Sequence, residues 1–163
     1  MTSQRINIGL PGGGGRMGGM LIREIARADD LHLVATTDRA DSLHIGKDAG
    51  EVAGLALNGV LIGIDPASLF LEADVVIDFS APDASMHHAA LAAETGTAMV
   101  IGTTGFTDDQ IASLHSITTG LAVCQASNFA PGVNLTFQLA EAAARALGDS
   151  VDVEIVEAHH RHK

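Results

Sequence analysis

The chain alternates short apolar runs with longer segments whose apolar residues repeat at helical spacing. The apolar runs occupy residues 6–10, 31–37, 75–79, 98–101, 121–126 and 151–157. The helical segments are 17–28, 84–95, 108–118 and 133–147, and the segment 41–58 is irregular and rich in Gly, Ala and Asp. Continuous apolar strands that helices cover on both faces are typical of a parallel sheet. The alternation therefore predicts an α/β fold with a doubly wound, mainly parallel sheet.

Length and composition exclude several classes of protein. A chain of 163 residues is about one domain. A net charge of −11 argues against nucleic acid as a partner, because phosphate backbones are bound by lysine and arginine patches. No run approaches the ~18 apolar residues that cross a membrane, so we expect no membrane partner. Cys124 is the single cysteine, which excludes an internal disulfide and predicts a buried position in a cytoplasmic protein.

A glycine-rich turn follows the first apolar run and leads into the first helical segment. The turn reads Pro-Gly-Gly-Gly-Gly-Arg-Met-Gly over residues 11–18. Glycine lets backbone amides approach a dinucleotide pyrophosphate at a helix N-terminus and permits positive φ angles. The order of strand, glycine turn and helix predicts a Rossmann-like dinucleotide site. A flexible glycine linker is the alternative. The candidate residues are Gly12, Gly13, Gly14, Gly15, Arg16 and Met17.

An acidic and a basic residue follow the second apolar run. Asp38 lies about twenty residues beyond the glycine turn, where a carboxylate can hold the ribose hydroxyls of NADH. Arg39 beside it suits the additional phosphate of NADPH. We therefore expect both NADH and NADPH to bind, although the pair also fits an exposed turn.

Three further strand ends carry small and polar residues. In an open α/β sheet, ligands bind outside the carboxyl ends of the strands, so residues 78–80, 102–106 and 127–129 are candidates for the nicotinamide side. Thr103 and Thr104 supply hydroxyls, Gly102 allows close approach, and Asn128 can hold a carboxamide. A plain turn and a helix cap are the alternatives. His87 and His88 are predicted to lie on a helix surface, since no third metal ligand accompanies them.

The sequence given ends on a cluster of proton-transfer residues, Glu-Ala-His-His-Arg-His-Lys over 157–163. Histidine gives and takes protons near neutrality, and a neighbouring lysine adds a second acid or binds a carboxylate. A solvated tail is the alternative. We expect no metal site here, because His159 and His160 point in opposite directions along an extended strand.

Taken together, these motifs resemble those of the 4-hydroxy-tetrahydrodipicolinate reductases, also called dihydrodipicolinate reductases, of bacterial lysine and diaminopimelate biosynthesis. The resemblance rests on Gly-x-Gly-Gly-Arg-Met-Gly at 12–18, Val-Ile-Asp-Phe-Ser at 76–80, Val-Ile-Gly-Thr-Thr-Gly-Phe at 100–106, Asn-Phe-Ala-Pro-Gly-Val-Asn at 128–134 and the cluster at 157–163. Pro11 and an extra glycine stand where the family commonly has alanine-like small residues. The family's Pro-Ser-Gly-Thr segment and the remainder of its α+β substrate domain are not in this sequence.

The resemblance implies a role for each motif in NAD(P)H-dependent reduction of 4-hydroxy-tetrahydrodipicolinate. The residues that it assigns to NAD(P)H are the glycine turn, Asp38, Arg39, Gly102, Thr103, Thr104, Ala126, Ser127, Asn128 and Phe129. It makes His159 a proton donor and acceptor, Lys163 a second proton donor and His160 a contact of the dicarboxylate substrate. The full-length family member is expected to be a homotetramer.

Domain organisation follows from the same resemblance. We expect a dinucleotide-binding domain over residues 1–130, and a connecting helix and first strand of the substrate domain over residues 131–163. The 163 residues alone are then expected to bind cofactor without turnover. A stand-alone nicotinamide-binding sensor without catalysis is the alternative function.

Overall fold

The computed structural model describes residues 5–156 and 158. Its strands are β1 Ile6–Pro11, β2 Leu31–Thr37, β3 Ile62–Gly63, β4 Val75–Asp78, β5 Ala98–Ile101 and β6 Val123–Gln125. Its helices are α1 Arg16–Arg27, α2 Ala49–Val52, α3 Pro66–Glu72, α4 Pro82–Thr95, α5 Asp108–Ile117 and α6 Pro131–Leu147, followed by a 3-10 turn over Gly148–Ser150. The chain divides into two compact units, one within residues 1–127 and one within residues 128–163.

The first unit is built on one parallel sheet with the strand order β3-β2-β1-β4-β5-β6. Every pairing of neighbouring strands is parallel. After β1 the chain adds strands on one side, and from β4 onward it adds them on the other side. This order is that of a Rossmann-like doubly wound sheet, and it confirms the predicted fold class.

Helix boundaries in the first unit follow local capping chemistry. Thr107 Oγ1 accepts from Gln110 N while Gln110 Oε1 accepts from Thr107 N, which forms a capping box at the start of α5. Asp65 caps α3 through the amide of Ala67, and a proline occupies the first helical position. Gly96, with φ +75°, ends α4 in the left-handed conformation. These caps fix where each helix begins or ends beside its strand.

Two apolar clusters fill the space between the sheet and its helices. The first joins β1, β2 and α1 around Ile8, Leu10, Ile22 and Leu33. The second joins α3, β4, α4, β5 and α5, and its buried members are Leu69, Phe70, Val76, Ala89, Ala92, Met99, Ile101 and Leu114. Both halves of the doubly wound sheet therefore have a core of their own, and the strand ends are positioned by packed elements.

Three sequence-based expectations differ from the structure. The pattern did not predict β3 or α3, because a two-residue strand has no periodicity and α3 is a single short helix of seven residues. Residues 151–156 belong to no strand in the described chain. Their apolar side chains are exposed, and a strand requires a hydrogen-bonding neighbour. Cys124 is exposed rather than buried, because it is the middle residue of the edge strand β6.

The second unit consists mainly of α6, whose predicted helical span is confirmed. No residue of this helix is buried, and Leu135, Phe137 and Leu139 are each more than half exposed. Asn128 Oδ1 accepts from the Ala130 amide in the turn that leads into the helix. No helix in the described residues has the length and apolarity that a membrane crossing requires.

Candidate functional site

The carboxyl ends of β1 and β4 form the point at which the winding of the sheet reverses. These two strands are neighbours, yet the chain leaves them toward opposite sides of the sheet. The loops that follow them therefore separate and leave a crevice, which is where open α/β sheets bind ligands. The loops at this edge contain most of the site residues that the sequence predicts.

The glycine turn closes tightly between β1 and α1. Gly12 has φ +79°, and the amides of Gly12 and Gly13 both donate to the Thr37 carbonyl at 2.7 and 3.0 Å. Gly15 N donates back to Gly12 O at 3.0 Å, and Gly15 is the N-cap of α1 without a side-chain cap. No acidic residue stands in the first turn of α1. The amides at this helix N-terminus are therefore presented to an anion without a competing carboxylate.

Three glycines of the turn have no space for a side chain. A Cβ on Gly13 would lie 2.0 Å from Thr36 Oγ1, and one on Gly14 would lie 2.4 Å from Asp38 Oδ2. A Cβ on Gly18 would lie 2.2 Å from the Gly12 carbonyl oxygen. The turn thus packs backbone directly against β2 and α1, as a close approach to a pyrophosphate requires.

A cavity of about 210 Å³ opens beside this turn. Its lining residues are Leu10, Pro11, Gly12, Gly15, Arg16, Met17, Gly18, Leu21 and Phe79. Phe79, from the predicted candidate segment 78–80, brings the end of β4 to the glycine turn. A Cβ on Gly102 would lie 2.1 Å from the Phe79 ring, so this ring packs on the Gly102 backbone. One aromatic side chain therefore lies between two predicted cofactor-binding loops.

Asp38 stands beside the glycine turn with its carboxylate already oriented. Oδ1 accepts from the Arg39 amide and Oδ2 from the Ser42 hydroxyl, both at 2.8 Å. Arg39 is exposed, and its Nε lies 3.7 Å from Asp41 Oδ1. Sequence reasoning missed Ser42, because its relation to Asp38 arises from the fold of the irregular segment. The predicted ribose-binding residue is thus held next to Gly14 while Arg39 faces solvent.

The turn after β5 is anchored to the end of β4. Gly102 N donates to Asp78 O at 2.8 Å, and Thr103 is buried with its Oγ1 2.7 Å from Ser85 Oγ. The Thr103 hydroxyl, expected to be available to a cofactor, is therefore engaged inside the protein. Thr104 is exposed at the same turn. A ligand at this edge meets the backbone of residues 102–104 and the Thr104 side chain.

His88 is buried, so the prediction that it lies on a helix surface is wrong. Its Nδ1 lies 2.9 Å from Asp78 Oδ2, and the carboxylate itself is completely buried. Desolvation tends to raise the pKa of Asp78, but the hydrogen bond and charge of His88 hold it below the ordinary value of 3.8. The neighbouring His87 is exposed, as predicted. Single-sequence periodicity could not find this pair, because its partners lie ten residues apart on a strand and a helix.

The remaining predicted residues are distributed over the end of the first unit and the second unit. Ala126 N donates to Ile101 O at 3.1 Å, which extends the β6 edge, and Ser127 follows it exposed. Asn128 and Phe129 belong to the second unit, where the Asn128 amide oxygen is occupied by the turn before α6. His159, His160 and Lys163 lie outside the described residues.

The strand order, the glycine turn at a helix N-terminus and the winding reversal together define a Rossmann-like dinucleotide-binding domain. Two family descriptions match the chain: "Dihydrodipicolinate reductase, N-terminus" over residues 6–129, and "Dihydrodipicolinate reductase, C-terminus" over residues 132–163. The chain belongs to the dihydrodipicolinate reductase family.

Individual relatives agree with this assignment. The 4-hydroxy-tetrahydrodipicolinate reductase of Alkalilimnicola ehrlichii is 49% identical over 96% of this chain and 58% of its own length. That of Halorhodospira halophila is 46% identical over 97% of this chain and 59% of its own length. This chain therefore spans less than two thirds of these curated relatives, which are oxidoreductases by name.

Solved structures show the same fold. The dipicolinate-bound dihydrodipicolinate reductase from Paenisporosarcina sp. TG-14 is 28% identical, with a TM-score of 0.70 over 86% of this chain and 54% of that chain. The scyllo-inositol dehydrogenase of Lactobacillus casei, at 19% identity and a TM-score of 0.64 over 91% of this chain and 44% of that chain, shares the fold alone.

Proposed function

We propose that this chain is the cofactor-binding part of an NAD(P)H-dependent reductase that converts 4-hydroxy-tetrahydrodipicolinate to tetrahydrodipicolinate. The observation that supports the proposal most directly is the glycine turn at the N-terminus of α1. Three of its glycines have no space for a side chain, and the turn borders a cavity of about 210 Å³. The membership of the family supplies the reaction class.

The residues present fit a dinucleotide. In this proposal the pyrophosphate lies at the glycine turn, at the positive end of the α1 dipole, while the amides of Gly12, Gly13 and Gly15 keep the turn closed by their bonds within the protein. The Asp38 carboxylate, oriented by Arg39 N and Ser42 Oγ, accepts hydrogen bonds from the adenosine ribose of NADH. Arg39 is exposed and meets the additional phosphate of NADPH. We therefore propose that both cofactors bind.

At the other end of the crevice, the backbone of Gly102, Thr103 and Thr104 lies against the nicotinamide ribose in this proposal. Ala126 and Ser127, at the end of the first unit, complete that side in this proposal. When bound, the reduced nicotinamide supplies the hydride. The turn after β5 orients the ring by backbone contact, and Phe79 beneath Gly102 keeps that backbone in place.

The proposed proton chemistry belongs to the cluster at 157–163. In this proposal the 4-hydroxyl leaves as water, the hydride adds to the resulting conjugated imine, and His159 holds the proton that the ring nitrogen takes up. Lys163 is a second donor, and His160 contacts the dicarboxylate. In a chain of net charge −11, these cationic groups also attract an anionic substrate.

We propose a domain boundary between residues 130 and 131, with the substrate domain beginning in α6. For the full-length family member we propose a homotetramer in the cytoplasm. Since the chain spans 58 to 59% of its relatives, we propose that the 163 residues bind cofactor without turnover. A steady-state assay with normal reductase activity from this chain alone would contradict that part.

The binding proposal is tested by titrating NADH and NADPH into the chain by calorimetry, with circular dichroism to confirm folding. Asp38→Ala should weaken NADH binding at least about tenfold, because it removes charge-assisted hydrogen bonds to the ribose. Asp41→Ala is the matched control: it removes a nearby carboxylate that contacts only Arg39 at 3.7 Å, and it should leave NADH binding unchanged. Arg39→Ala should weaken NADPH more than NADH. Equal affinity of all three variants would disprove the assignment.

A further inference from the structure

Four buried polar side chains lie together beneath the turn that follows β5. Asp78 and Ser85 are fully buried, and Thr103 and His88 are 5% and 7% exposed. They come from the end of β4, from α4 and from the β5 turn. Burial of an ionised carboxylate is unfavourable unless its hydrogen bonds are complete, so the neighbours of Asp78 are needed to satisfy it.

The Asp78 carboxylate is the acceptor at the centre of this group. Oδ2 lies 2.9 Å from His88 Nδ1, and Oδ1 accepts from Ser80 N at 2.8 Å. Since an ionised carboxylate only accepts, His88 Nδ1 carries the proton of this bond. The carboxylate therefore fixes both the first residues after β4 and the middle of α4.

A hydroxyl of α4 connects this group of buried side chains to the turn after β5. Ser85 Oγ donates its proton to Thr103 Oγ1 at 2.7 Å. The backbone makes a second connection, from Gly102 N to Asp78 O at 2.8 Å. Residues 102 and 103 are thus held by the end of β4 and by α4, and the bond between His88 and the Asp78 carboxylate joins these two elements.

We propose that His88 and Asp78 are positioning residues for the nicotinamide side of the cofactor site. The pair lies one layer beneath the turn and joins β4 to α4, which hold the turn through Asp78 O and Ser85 Oγ, so that the backbone of 102–104 is already in its binding conformation. This role rests on the proposed function, since it concerns the cofactor that the turn is proposed to meet. Neither residue touches the cofactor in this proposal.

The test compares two replacements of equal shape at one position. His88→Asn retains an N–H near the place of Nδ1, whereas His88→Leu has a similar volume and no donor. Calorimetric titration with NADH, at a temperature where circular dichroism shows each variant folded, should give an affinity within about threefold of wild type for Asn. The Leu variant should bind roughly tenfold more weakly, because the buried carboxylate loses a hydrogen-bond donor.

A destabilised variant remote from the site shows whether a loss of stability alone weakens NADH binding. Thr97→Val removes a buried hydrogen bond from Thr97 Oγ1 to Phe70 O at 2.9 Å, at the opposite end of β5 from the turn, and should lower the melting temperature without changing NADH affinity. If the NADH affinity of this control variant falls in proportion to its stability, the positioning role is overturned. Should His88→Leu fail to fold, Ser85→Ala decides the matter, because it disconnects Thr103 while leaving the Asp78–His88 bond. Weaker binding by that variant supports the proposal, and unchanged binding overturns it.

Failure of this proposal is distinguishable from failure of the proposed function. No NADH binding by the folded wild-type chain overturns both. Binding by the wild-type chain that is equal in His88→Asn and His88→Leu overturns only the positioning role.

Discussion

Adjacent glycines in α1 should respond in opposite directions to the same substitution. A Cβ on Gly19 has Arg23 Nη1 as its nearest neighbour at 3.7 Å, which is an ordinary contact. A Cβ on Gly18 meets Gly12 O at 2.2 Å and Gly13 Cα at 2.7 Å. Both neighbours of Gly18 are backbone atoms of the glycine turn, so they cannot rotate away as the end of a side chain can.

The magnitudes follow from these contacts. Gly19→Ala should raise the free energy of unfolding by about 0.5–1 kcal/mol, because alanine favours the helix over glycine. In Gly18→Ala, the contact with Gly12 O must lengthen from 2.2 Å to at least 3.0 Å, a shift of 0.8 Å. Overpacking of this kind costs about 1–3 kcal/mol, which exceeds the helical gain. Gly18→Ala should therefore be less stable than wild type and Gly19→Ala more stable.

Two measurements check this prediction. Both variants share the helical gain, so they differ by the overpacking cost of about 1–3 kcal/mol. Thermal unfolding should therefore separate them by roughly 2–12 °C, given about 2–4 °C per kcal/mol for a chain of this size. Calorimetry should show NADH binding weakened at least about tenfold in Gly18→Ala alone, since the shifted turn presents its amides wrongly. If both variants had the same stability and affinity, the contact between Gly18 and the Gly12 carbonyl would not be what requires glycine here.

Three further predictions concern other parts of the first unit. Thr107→Ala should lower the free energy of unfolding by about 1 kcal/mol in denaturant titration, because the capping box with Gln110 is lost. The destabilisation by Asp78→Asn should be largest above the unfolded carboxyl pKa of 3.8 and should diminish as the pH falls through the lower folded pKa. The reason is that a carboxyl with a depressed pKa stabilises the fold only while it is ionised. A constant difference in unfolding free energy between variant and wild type from pH 7 to pH 2 would contradict this. Gly102→Ala should weaken NADH binding in calorimetry, because its Cβ displaces the Phe79 ring, and Gly102→Ala combined with Phe79→Leu should recover part of the loss.

The sequence predicts those parts of the fold that local patterns specify. Five strands and the four longer helices follow from apolar spacing, and the glycine turn follows from its position between a strand and a helix. The helix α3 was missed although Asp65 and Pro66 are a standard helix start, because seven residues are too few to show a periodicity. Conversely, the apolar pattern of residues 151–156 predicted a strand that the structure does not have, because an apolar run forms a strand only beside a hydrogen-bonding partner strand.

The predicted site differs from the structure where tertiary contacts decide a side chain's direction. Thr103 has the hydroxyl that a ligand-binding turn suggests, yet the structure turns it inward to Ser85. His88 is in a helix whose sequence favours no single buried face, and only its bond to Asp78 shows why it is buried. The segment 78–80 was predicted as a candidate, but the packing of Phe79 on Gly102 could not be recognised from spacing, because the two residues are distant in sequence. The bond of Ser42 to Asp38 depends on the fold of an irregular segment.

The lengths of the strands have a consequence for the behaviour of the protein at high concentration. In the described sheet, β3 and β6 are the outermost strands, and they contain two and three residues, fewer than any other strand. An outer strand exposes unpaired amides and carbonyls to which another molecule can add a strand of its own. With so few exposed groups on each side, the sheet offers little template for edge-to-edge aggregation, and the four longer strands have both of their sides occupied.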